Sequence, residues 1–228
     1  MNKEIKTHIL SPGVISVVLI VALLAIDQAI KIMVKTHMCL GEAIHVTDWF
    51  YIDFVENNGM AYGMTFINKL VLSLLRIVAI LFIGWYIRKQ VQRKVRMRYI
   101  VLLSMVFAGA AGNIFDSMFY GLVFDASTPF DVATVVPFGT GYAHFLMGKV
   151  VDMFYFPLIV TTWPSWVPWV GGSEFVFFSP VFNFADSCIS VGVVLLLIMC
   201  RRELETLHLF SSSEKQDSGD TDNKDRNE

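Results

Sequence analysis

Carboxylates and carboxamides recur in this sequence where apolar runs begin or end. Asp27 closes the first run, Asn113 and Asp116 close a later one, and Asn183 and Asp186 open the last. Asn183 and Asp186 are three residues apart and so share one face of a helix. Asp152 sits in a very apolar stretch, Lys149-Val150-Val151-Asp152-Met153-Phe154-Tyr155-Phe156. Ionisable groups at membrane depth are costly and mark function by default. Two carboxylates held close together do not readily both ionise: one pKa rises and the pair shares a proton. One member then acts as general base toward a water that attacks a peptide carbonyl. The other acts as general acid toward the developing oxyanion, and no covalent intermediate is needed.

Each of these residues also has a plainer reading. Asp27 and Lys31 form an i,i+4 pair that supports a helix end. Asp116 can cap or brace helix packing. Asn57 and Asn58, followed by Gly59, are turn residues. The small residues at 108–112 permit close helix packing. Arg76 can snorkel to a membrane surface. Other hydrolytic chemistries find little support. The five histidines show no metal-ligand spacing and no H-E-x-x-H is present. There is no G-x-S-x-G elbow and no Ser–Lys arrangement around Lys149. Cys39, Cys188 and Cys200 form neither a disulfide framework nor a metal motif. No metal or organic cofactor is implied.

The elements that must position these groups are membrane helices. The chain has 228 residues, 55% hydrophobic and only 17% charged, and its apolar residues gather in four runs, at 7–26, 70–87, 99–115 and 183–200. Each is about 17–20 residues, enough for a helix to cross a hydrocarbon core of roughly 30 Å. Helices satisfy every backbone group internally, as lipid requires. The expected fold is an all-α polytopic membrane protein with helices at about 7–30, 70–88, 99–120 and 181–200. The first run is read as a retained helix, because it is long for a signal-peptide core and no A-x-A-like site follows.

Arg88, Lys89, Arg93, Lys94, Arg96 and Arg98 fall between the second and third runs, Lys3 and Lys6 precede the first, and Arg201 and Arg202 follow the last. The positive-inside rule therefore puts both termini in the cytoplasm. The two long loops, 32–69 and 121–180, then face the outer side. Residues 45–55 are rich in aromatic and β-branched types and predict a strand. Trp163, Trp166 and Trp169, with Pro164 and Pro168 between them, suit a membrane interface, or else a partner-binding patch. Residues 1–210 are read as one membrane-embedded domain, and 211–228 as a disordered polar tail.

Taken together, the motifs resemble those of the lipoprotein signal peptidases. Asp27-Gln28 with Lys31 is similar to that family's D-Q-x-x-K, and Asn57-Asn58-Gly59-Met60-Ala61-Tyr62-Gly63 to its N-x-G-x-A-F-G. Gly112-Asn113-Ile114-Phe115-Asp116 resembles G-N-x-x-D-R, Val150-Val151-Asp152 resembles V-V-D, and Phe182-Asn183-Phe184-Ala185-Asp186 resembles F-N-x-A-D. The motifs stand in the family's order across residues 10–202. The resemblance implies four transmembrane helices with a small extracytoplasmic β-rich cradle. It implies an inner-membrane aspartic endopeptidase of the signal peptidase II type. Such an enzyme cuts diacylglyceryl-modified prolipoproteins just before the lipidated cysteine. Asp152 and Asp186 would be catalytic. Asn57, Gly59, Asn113, Asp116 and Asn183 would orient the pair or hold the substrate backbone, and Asp27 would support the site. Its partners would be prolipoproteins and membrane lipids, with no nucleic acid, and the chain would act as a monomer.

Two departures stand out. Ser117 occupies the position of the family's arginine, and Arg76 is the candidate to take over part of that role. The chain between Asp116 and Asp152 is also longer than the family's. Without a gap, Gly121-Leu122-Val123-Phe124-Asp125 falls where the V-V-D motif belongs. Gly148-Lys149-Val150-Val151-Asp152 matches it better but requires an inserted outer loop, expected to form a flap over the site. Asp152 is preferred, because an apolar run follows it, whereas Asp125 leads into Ala-Ser-Thr-Pro, an ordinary loop. The rival function is a small proton-coupled transporter using its outer-end carboxylates. A second rival is a non-catalytic assembly factor binding through the tryptophans. Four helices without repeated halves fit a transporter poorly.

Overall fold

The computed structural model describes residues 11–58 and 69–205. Gly59 and the tail at 211–228 lie outside the described residues, as do residues 7–10, the expected start of the first helix. The chain runs α1 (Pro12–His37), β1 (Ala43–Thr47), β2 (Phe50–Asn57), α2 (Lys69–Gln92), α3 (Met97–Val123), β3 (Val150–Tyr155), β4 (Ile159–Thr162), β5 (Glu174–Phe177), α4 (Phe184–Met199) and α5 (Arg201–Glu205).

Helix α1 starts at Ser11, whose hydroxyl accepts the Val14 N–H, with Pro12 in the first turn. It runs on to His37, well past the expected end near residue 30. Lys31 and Lys35 break the apolar run in the sequence, but both are buried and paired, so the helix continues through them. Helices α1, α2 and α3 are long and apolar enough to cross a membrane. Helix α4 has 16 residues, a rise of about 24 Å. The outward faces carry exposed apolar side chains such as Val17, Val21, Leu81 and Ile198, a pattern that water does not tolerate over large areas.

Helix α3 is the central element and packs against α1, α2 and α4. Two glycines let it do so. A Cβ at Gly109 would collide with the Ala185 carbonyl of α4, and one at Gly112 with the Asp27 carboxylate of α1. At the end of α3 near the basic segment, Tyr99, Leu102 and Leu103 pack with Ile87, Leu196 and Cys200. The Tyr86 and Tyr99 hydroxyls meet there at 2.8 Å.

At the opposite end lies an antiparallel sheet in the order β1-β2-β3. Its register pairs Val55 with Asp152 and Asn57 with Val150. Phe54, Val151 and Met153 face Val34, Met38, Tyr120 and Phe124 of the helix ends and form a second core. The predicted strand at 45–55 thus corresponds to β1 and β2, which form a hairpin. Strands β4 and β5 form a separate two-stranded hairpin.

Candidate functional site

The polar residues gather where the sheet meets α1, α3 and α4. Asp116 and Lys31 are both at 0% exposure and Asp27 at 2%. The Lys31 Nζ lies 3.0 Å from Asp27 Oδ2 and 2.9 Å from Asp116 Oδ2, and donates to Asn113 Oδ1 at 2.9 Å. Two carboxylates around one ammonium leave a net negative charge, which survives burial only if further donors meet it. Gln28 Nε2 supplies one, to Asp116 Oδ1 at 2.9 Å and Asp27 Oδ2 at 3.1 Å. The Ala185 N–H of α4 supplies another to Asp27 Oδ1 at 3.0 Å. Tyr120 holds Gln28 in place by donating to its Oε1 at 3.0 Å. Asp27 therefore ties α1 to the start of α4.

Asn113 and Asn183 carry this lattice to the remaining two aspartates. Asn183 Nδ2 donates to Asn113 Oδ1 at 3.1 Å and to Asp152 Oδ1 at 2.6 Å. Asn113 Nδ2 donates to Asp186 Oδ1 at 2.7 Å. Asn183 is also the N-cap of α4 in a reciprocal capping box. Its Oδ1 accepts the Asp186 N–H at 3.0 Å, and its own N–H donates to Asp186 Oδ2 at 3.3 Å. Asn57, at the end of β2, donates to Asp152 Oδ2 at 3.1 Å. Asp152 is buried in β3, and burial pushes its pKa up to about 7. The charge of Asp186 adds to this, against the hydrogen bonds from Asn57 and Asn183 and the charge of Lys31.

Asp125 is not part of this cluster. It lies past the end of α3, where its carboxylate accepts from Thr134 N–H at 2.6 Å and Thr134 Oγ1 at 2.7 Å. Those bonds hold it below the usual carboxylate range. Ser117 is buried, and its carbonyl accepts the Gly148 N–H at 2.9 Å. A Cβ at Gly148 would strike the Asp116 and Ser117 carbonyls. The returning end of the long segment therefore packs directly on the backbone at the end of α3, and the Ser117 hydroxyl donates within the helix to Asn113 O at 3.3 Å. Arg76 on α2 interacts electrostatically with Asp186 first, then with Asp152 and Asp116.

A second buried charge network flanks the site. Glu56 accepts from Lys149 Nζ at 2.9 Å and Ser127 Oγ at 2.9 Å, and pairs with Lys35. Burial alone would raise the Glu56 pKa, but the two ammonium groups outweigh it and hold the carboxyl low. Glu56 precedes Asn57 and Lys149 leads into β3, so this pairing pins the two strands that carry Asn57 and Asp152. Glu56 and Lys35 are not among the residues that the sequence motifs mark, whereas Gln28 belongs to the first of those motifs. A signal was available in Lys31 and Lys35, two lysines one turn apart at the end of an apolar helix. Among the described residues no group of three or more His, Cys, Asp or Glu side chains could hold a metal ion.

Asn113 and Asn183 thus link the carboxylates of Asp152 and Asp186 through carboxamide donors. A family model described as signal peptidase (SPase) II matches residues 19–202. A lipoprotein signal peptidase of Porphyromonas gingivalis is 50% identical over 199 residues, covering 87% of this chain and 88% of that one. One of Amoebophilus asiaticus is 33% identical over 208 residues, covering 87% and 84%. A bacterial membrane enzyme solved by the in meso method shares the fold with a TM-score of 0.53 at 22% identity, over 80% of this chain and 90% of that one. A second such structure gives 0.54 at 22% identity.

Proposed function

The chain belongs to the signal peptidase II family of aspartic peptidases, and on that footing we propose that it removes signal peptides from diacylglyceryl-modified prolipoproteins just before the lipidated cysteine. The observation that carries the reading is Asn183. Its carboxamide donates to Asp152 while its backbone and side chain cap Asp186, so a single residue sets the geometry of both aspartates. Asp186, with both oxygens accepting hydrogen bonds, is the base that takes a proton from the attacking water. Asp152, pushed up to about 7, holds the proton that is given to the developing oxyanion. The leaving amine is protonated as the tetrahedral intermediate collapses, and the pair returns to its singly protonated state. Asn57, Asn113 and Asp116 orient the pair or hold the substrate backbone, with Asp27 as their support. Gly59 follows Asn57 in the motif and is assigned with it to the substrate side. Arg76 offsets the negative charge of the pair in the place of the family's arginine.

In this reading α4 and its flanks make a fourth span. The basic segment at 88–98 and both termini lie in the cytoplasm of a bacterial inner membrane. The sheet is then the extracytoplasmic cradle, and the site opens at the outer surface, where the lipidated cysteine of a substrate lies. One chain holds the whole site and acts as a monomer. The test is cleavage of a diacylglyceryl-modified prolipoprotein by the purified protein in detergent, with mass spectrometry of the products. A product beginning at the modified cysteine, and no cut in the unmodified precursor, is the expected result. Failure of well-folded protein to cut substrates with several different lipoboxes would sink the reading.

A further inference from the structure

The β4–β5 hairpin takes no part in the polar site, and its surface is unlike the rest of the sheet end. Strand β4 pairs with β5 from Ile159↔Phe177 to Thr162↔Glu174, and all four β4 residues are exposed. Leu158, Ile159, Val160, Phe177 and Phe178 present large exposed apolar surface. The connecting loop is nevertheless well made. Trp163 N–H donates to Ser173 O, and Gly172 N–H to Trp163 O, each at 2.9 Å; Gly171 N–H donates to Val167 O at 3.0 Å. Trp163 packs edge-on against Phe175 at 5.0 Å, and the loop displays the other two indoles outward. Trp166 is 79% exposed and Trp169 101%. Trp169 holds φ at +77°, a region bulky residues rarely occupy and which tends to persist where function requires it.

An isolated two-stranded hairpin is marginal in water, and an apolar surface of this kind calls for a covering phase. Three features identify it. Strand β4 exposes both of its faces, whereas a protein partner would cover one. Between residues 158 and 178 the only charged side chain is Glu174, and no lysine or arginine occurs between 150 and 200, so nothing there selects an anionic headgroup. The hairpin is also joined directly to a membrane helix. Phe178 packs edge-on against Phe182 at 5.8 Å, and Phe182 precedes Asn183, the cap of α4. Tryptophan, with an apolar body and one N–H donor, is the side chain best suited to the headgroup level of a bilayer.

We propose that the β4–β5 hairpin is immersed in the lipid–water interface of the leaflet at which α4 begins, with Trp163, Trp166 and Trp169 as its anchors. It holds the polar site at the depth of that interface. The inference rests on the membrane-embedded reading of the chain and not on its peptidase chemistry.

The experiment uses the full chain in phosphatidylcholine nanodiscs. Trp49→Phe and Trp85→Phe together leave the hairpin tryptophans as the only indoles. A second variant keeps Trp85 alone, on the exposed face of α2. The expected result is blue-shifted hairpin emission, at least halved by lipid brominated near the headgroup end of its acyl chains and poorly quenched by acrylamide. Emission like that of free tryptophan, open to acrylamide and indifferent to brominated lipid, would overturn the proposal and leave the hairpin in water or facing a protein. If Trp85 is quenched by brominated lipid while the hairpin is not, only this inference fails. If Trp85 is not quenched either, the membrane reading fails with it.

Discussion

Asp125 and Asp152 follow similar sequence, Gly-Leu-Val-Phe-Asp and Gly-Lys-Val-Val-Asp, and meet opposite fates in the fold. Asp125 comes just after α3 has ended, where the chain turns into a loop, and Thr134 satisfies its carboxylate at the surface. Asp152 lies in the inner part of a strand that pairs with β2 and rests on the ends of α1 and α3. There Asn57 and Asn183 reach it, and burial lifts its pKa to about 7. The motif alone does not make a shared-proton site. In the proposed reading the strand register, the cap of α4 and the buried lysine of α1 do so together.

The largest effect is expected at the partner of Asp152. Asp186→Asn keeps the size of the side chain but removes the base, and should lower kcat by about 100- to 10,000-fold with a thermal midpoint near that of the wild type. Cleavage within a few fold of wild type would break the distinction between the two aspartates, because Asp152 would then need no partner. Lys31→Met removes the cation from between Asp27 and Asp116. Leaving buried charge unpaired should cost about 3–5 kcal/mol, read as a lowered midpoint in detergent melts. The same loss is not expected from Asp125→Ala, because Asp125 is only half-buried and its carboxylate is bonded to Thr134.

A third effect separates the two residues by pH. Asp152 ordinarily would have a value of 3.8, and in the fold it sits at about 7. Between those values the folded state holds more protons than the unfolded one, so this group's contribution to stability declines as pH rises through that window. Cleavage should likewise fall above about pH 7 as the pair loses its proton. Asp152→Asn should flatten the stability profile between pH 4 and 7, and Asp125→Asn should leave it as it is. An unchanged profile in Asp152→Asn would contradict the assignment. The smallest effect is expected from Arg76→Gln, roughly tenfold in kcat if the guanidinium offsets the charge of the pair. The loss should be accompanied by an alkaline shift of the fall in activity. Normal cleavage would count against that role.

Much of this site is legible in the sequence, because its residues lie where apolar runs end. Asp27, Asn113, Asp116, Asn183 and Asp186 all announce themselves as polar groups at the ends of apolar runs, and those runs find α1 to α4. The ends of the helices are less legible. Lys31 and Lys35 look like the boundary of the first span, but each is neutralised by a residue far away in sequence, Asp116 and Glu56. Local hydropathy does not contain those pairings. The choice between Asp125 and Asp152 is of the same kind. It depends on the pairing of β2 with β3, and on Gly148 packing over Ser117, and both contacts join residues distant in the chain. The capping box of Asn183 and Asp186 is local, three residues apart, and the sequence displays it.

The most direct test sets the two look-alike aspartates side by side. Asp125→Asn and Asp152→Asn, purified in the same detergent, would be given one diacylglyceryl-modified prolipoprotein, and initial rates of cleavage compared with wild type. Wild-type rates are expected for Asp125→Asn, and loss of cleavage, by about 100-fold or more, for Asp152→Asn. An inactive Asp125→Asn beside an active Asp152→Asn would move the dyad to the loop after α3 and contradict the site described above.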